Sequence, residues 1–104
     1  MTTDSNNGIQ LLFEVTSDKA TEVLVPLARA CNRNSIPWAC FFTGNGVKNL
    51  SDKGVKEIIT GAVKAVACEV SWELYMGDDT CPVEIGSQTN NSALVGETDK
   101  VVSI

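Results

Sequence analysis

The chain has 104 residues, a net charge of −5, no histidine, 43% hydrophobic and 20% charged residues. That length closes one core without metal or disulfide staples, and the composition is that of a globular chain. The eight Lys and Arg residues are scattered, which argues against a nucleic-acid surface. No apolar stretch approaches the roughly 20 residues that span a bilayer, and no basic-then-apolar leader opens the chain. The expectation is therefore a cytoplasmic protein without membrane or nucleic-acid partners.

Residues 1–8 are polar, with Ser5, Asn6 and Asn7 in a row, and read as a tail ahead of one domain, 9–104. Ile9 to Val15 is too apolar for a half-exposed strand and suits one covered on both faces. Ala20, Val23, Leu24, Leu27, Ala28 and Cys31 then mark one face of a helix, with Ser17 or Asp18 as cap. Pro26 either kinks this helix or delays its start. Cys31 lies on the apolar face and Cys40 in the next buried strand, Ile36 to Phe42, so both read as core.

Thr43 to Gly46 is a tight connection. Val55, Ile58, Ile59 and Ala62 outline a second helix, capped by Ser51 or Asp52 and stopped by Gly61. A strand, Val63 to Cys68, follows, then a short helix from about Ser71 to Met76 with Gly77 closing it. Ser71 reads as its cap, and Trp72 and Tyr75 as an aromatic patch facing a subunit contact. Val83 to Ile85 is a weak strand, Asn91 or Ser92 caps a one- or two-turn helix through Val95, and Lys100 to Ile104 is a last strand. Strands alternating with helices predict a three-layer α/β/α sandwich on a mainly parallel sheet of about five strands.

Four cysteines in a chain read as intracellular favour free thiols over two disulfides. Zinc sites use paired cysteines or histidines, and neither occurs here, so neither metal nor cofactor is expected. Cys68 stands apart. It falls at the carboxyl end of a strand and faces the start of a helix, where open α/β sheets bind ligands and where unpaired N–H groups favour thiolate over thiol. The plainer alternative is a core cysteine. Cys81, in the turn-rich stretch Gly77 to Pro82, reads as exposed. It is either a second thiol acting with Cys68 or a passive loop residue whose acidic neighbours Asp78 and Asp79 raise its pKa.

Three strings, Phe41-Phe42-Thr43-Gly44-Asn45-Gly46-Val47, Val66-Ala67-Cys68 and Thr98 to Ile104, together resemble the DsrE/DsrF-like sulfur-relay family, which includes the TusD-like small α/β proteins. The resemblance runs from Ile9 to Ile104. It implies an α/β/α sandwich that forms homo- or hetero-oligomers and carries sulfane sulfur as a persulfide on the cysteine matching Cys68. Asn45 stands where the family usually has Asp, and Met76 where Arg often precedes glycine. The resulting expectation is a persulfide carrier, a sulfurtransferase in the broad sense. Its partners would be persulfide-donor and acceptor proteins, a TusA-like carrier among them. The rival readings are a non-catalytic scaffold subunit, as in relatives lacking the cysteine, and a small-ligand module using the glycine loop.

Overall fold

The computed structural model describes residues 8–104, so the expected tail lies outside the described residues apart from Gly8. In chain order the elements are β1 (Ile9–Val15), α1 (Thr21–Arg33), β2 (Trp38–Phe42), a 3-10 helix (Gly44–Ser51), α2 (Lys53–Ile58) running into a 3-10 turn (Ile59–Gly61), β3 (Lys64–Cys68), α3 (Glu69–Met76), β4 (Glu84–Gly86), α4 (Gln88–Glu97) and β5 (Thr98–Ser103). Every strand pair is parallel, in the order β4-β3-β2-β1-β5. This is the α/β sandwich that the alternation predicts.

Right-handed crossovers dictate which helix covers which face. From β1 to β4 the chain steps sideways in one direction, so α1, α2 and α3 share a face. From β4 to β5 it crosses back over the whole sheet, which puts α4 alone on the other. The two cores follow this division. Phe13, Val15, Trp38, Cys40 and Phe42 pack under Leu24 and Ala28 of α1, Val55 of α2 and Trp72 of α3. Leu12, Ala39, Phe41, Val66 and Cys68 pack under Leu94 of α4. All of β2 is buried, as a strand covered on both sides must be.

Several ends differ from the sequence reading, each for a local reason. α1 begins at Thr21, keeps Pro26 inside and has no cap from Ser17 or Asp18. Its first turn is held instead by buried Asn49, whose Oδ1 accepts from the Thr21 backbone N–H (3.1 Å) and hydroxyl (2.7 Å). The Asn49 amide donates to the carbonyls of Ser17 and Gly46 (2.7 and 2.9 Å), so all its polar atoms are used. Gly46 fits because it has no side chain: a Cβ there would run into the Val15 carbonyl. Asp52 does cap α2, accepting from the Val55 N–H at 3.1 Å.

α3 starts at Glu69, not near Ser71. Cys68 ends its strand with φ −64° and ψ 125° and is itself the N-cap, so strand passes to helix with no loop. Trp72 is core rather than contact: it is buried against the α1–α3 face and its Nε1 donates to the Asp79 carbonyl at 2.8 Å. Gly77 closes α3 at φ 60°, where a side chain is unfavourable. α4 begins at Gln88, capped by Ser87 in a reciprocal capping box with Asn90 and not by Asn91 or Ser92.

Candidate functional site

The sheet order leaves one natural place for a site. At their carboxyl ends β3 turns into α3 on one face and the neighbouring β4 turns into α4 on the other, so the chain parts between them. Such a divergence opens the crevice in which open α/β sheets bind ligands. Cys68 is the last residue of β3 and pairs in register with Gly86, the last of β4. The sulfur therefore stands where the connections separate.

The groups around it come from three strand ends. The Val70 and Ser71 backbone N–H groups and the Ser71 hydroxyl of the first turn of α3, with the Gln88 amide of the first turn of α4, are the polar groups near enough to the sulfur to favour its ionised form. The Ser71 oxygen is pinned by the Gly44 backbone N–H at 2.8 Å, beside the Thr43 hydroxyl at 3.5 Å. With its acceptor side used by Gly44, the Ser71 hydroxyl is free to donate to Cys68. Gln88 Nε2 donates to Thr43 Oγ1 at 3.2 Å, so one amide spans the ends of β2 and β3. Ser71 is thus no helix cap. It sits in the third position of α3, turned back toward the glycine loop.

Burial alone pushes the Cys68 thiol up, but the hydrogen bonds from Ser71, Gln88 and Val70 outweigh it and hold the group below its ordinary value. The other cysteines go the opposite way. Burial raises Cys31 and, most strongly, Cys40, which is sealed in the core. Burial also raises Cys81 against a backbone hydrogen bond from Val83. The expected direction for Cys81 is therefore right, while its cause is burial rather than Asp78 and Asp79. One thiol of four is tuned toward the thiolate.

Cys68 is 6% exposed, its apolar side against Val66 and Leu94. On the polar side it lies close beneath the surface, under the exposed side chain of Gln88.

Cys81 is half-buried, not exposed, and packs against the α1–α3 core. It lies in the loop that joins the end of α3 to the start of β4, and hence at the amino edge of the sheet, opposite Cys68. The fold does not bring the two thiols together within one chain. Among the described residues no three His, Cys, Asp or Glu side chains converge as a metal set. Nor does any helix there have the length and apolarity to cross a membrane.

Sequence reasoning missed Thr43 and Gln88. Placing the cap of α4 four or five residues too late left Gln88 in a loop, and the Ser87-x-x-Asn90 box was the signal that could have moved it.

The chain matches no protein-family model and no curated protein.

Proposed function

We propose that this protein is a persulfide carrier, with Cys68 as the sulfur-bearing residue. The observation that carries the reading is a thiol at the carboxyl end of β3, beside the first turns of α3 and α4, whose polar neighbours Ser71, Gln88 and Val70 outweigh burial and hold it below the ordinary thiol pKa. Thiolate is the attacking form in sulfur exchange. The Cys68 thiolate attacks the outer sulfur of a donor persulfide; a new S–S bond forms, the donor S–S bond breaks, and the electron pair leaves with the donor thiolate. The same exchange with an acceptor thiolate discharges it, with no net oxidation in either step.

The resemblance to the DsrE/DsrF-like proteins supports the same reading, including protein-borne donors and acceptors, a TusA-like carrier among them, and assembly into oligomers in the cytoplasm.

The test is intact-mass analysis after incubation with glutathione persulfide. The expected result is a gain of about 32 Da on Cys68, absent in Cys68→Ser and reversed by a free thiol. No gain on Cys68, with a parallel carrier loading normally, counts against the proposal.

A scaffold subunit is the second reading, and the low exposure of Cys68 favours it. It predicts that Cys68 stays as slow with alkylating reagents as Cys40, a pattern opposite to the one a carrier shows.

A further inference from the structure

The amino-terminal turn of α3 follows directly on Cys68. Its outer side carries the two most exposed large apolar residues of the described chain, Val70 (72% exposed) and Leu74 (71%). They are four residues apart and so form one strip along the helix. Val70 adjoins Cys68 directly, since its backbone N–H is near enough to the sulfur to favour its ionised form.

Glu69 and Glu73, also four apart and both exposed, line one flank of the strip. The arrangement does nothing for the helix. Like charges at this spacing repel, and Glu73 lies in the last turn of α3, which has no basic residue and where the helix dipole disfavours negative charge. Among the described residues the ion pair found is Lys64 with Glu84, so neither glutamate has a basic partner. On the other flank Lys48 sits 5.1 Å over the ring of Tyr75.

We infer that the outer face of α3, Val70 and Leu74 edged by Glu69 and Glu73, docks the protein that exchanges sulfur with Cys68, and that this partner presents its cysteine among apolar residues edged by Lys or Arg. The inference rests on the persulfide reading of Cys68. Charge complementarity selects the occupant: a basic rim answers the two glutamates, whereas a second copy of this chain, itself at −5, brings like charge to them.

The probe is a short peptide whose cysteine is flanked by leucines and lysines, used against the same peptide with glutamates for lysines. Binding is read by fluorescence anisotropy with that cysteine replaced by serine, and transfer by mass with the peptide persulfide. The lysine peptide is expected to bind at least about tenfold tighter than the glutamate peptide at low salt and to lose that advantage at high salt. Glu73→Lys, which suits the helix dipole, and Leu74→Gln are each expected to cut binding and peptide-borne transfer about tenfold, leaving loading of Cys68 from glutathione persulfide unchanged. Equal binding of the two peptides, or wild-type binding in both variants, overturns the docking surface while leaving the carrier reading intact. Loss of glutathione persulfide loading in the wild type overturns the carrier reading and this inference with it, and self-association that vanishes in Leu74→Gln reassigns the face to a second copy.

Discussion

Ser71 carries more of the site than its size suggests, because one hydroxyl joins the glycine loop to the reactive sulfur. Its oxygen satisfies the Gly44 N–H and its hydrogen serves Cys68. Ser71→Ala is expected to raise the Cys68 pKa and slow its alkylation at neutral pH about threefold to tenfold, with Ser71→Thr restoring most of the rate. A merely structural role would lower stability by about 1 kcal/mol without moving the pH midpoint. The linkage has a definite sign. Since folding holds Cys68 below its unfolded value, its ionisation adds stability that is complete above the unfolded pKa and disappears as pH falls through the folded one. At this scale the sequence showed the thiol and its strand-to-helix setting, but not its partners. Thr43 and Gln88 come from other strand ends, and only the sheet order brings them to residue 68.

α4 is the element least legible in the sequence and the one on which access depends. Of its ten residues only Leu94 is buried, so the apolar periodicity that reveals α1 is missing. It is fixed by polar contacts: the Ser87–Asn90 box, Gln88 over Thr43, and Asn91 on Glu14. Asn91 Nδ2 donates to Glu14 Oε1 at 3.0 Å, yet the buried Glu14 Oε2 and Asn91 Oδ1 have no partner. Burial raises the Glu14 pKa against that one hydrogen bond. Protonation of the carboxyl would turn one of these acceptors, Glu14 Oε2, into a donor. The stability Glu14 contributes is thus complete below the ordinary carboxylate value of about 4.3 and falls as pH rises through the higher folded value. Glu14→Gln gives the missing N–H permanently. It is expected to stabilise the protein by about 1 kcal/mol at pH 7 and to flatten this part of the pH dependence in urea melts. A destabilised Glu14→Gln protein would mean that the carboxylate is ionised and needed as such.

Across the molecule, the alternation of strands and helices was enough to read a parallel α/β sheet, since β2 and the apolar faces of α1 and α2 state their burial outright. The strand order was not legible. It comes from the return of the chain from β4 to β5, and a ten-residue helix with one buried side chain carries no record of crossing the sheet. That order has a functional consequence, because it parts the connections at Cys68 and leaves Cys81 at the far edge. Cys81→Ser is therefore expected to leave both loading and discharge of Cys68 unchanged; a discharge rate that falls severalfold would instead require the two thiols to meet between chains. The account as a whole depends on an ionised, reachable sulfur at the parting of β3 and β4. A pH series of iodoacetamide labelling on the native protein, read by peptide mass, measures this for each cysteine at once. Cys68 should react first, with a midpoint below that of an ordinary thiol, ahead of Cys81 and Cys31 and far ahead of Cys40. A Cys68 that labels only on unfolding, or with a midpoint at or above that of free cysteine, would contradict it.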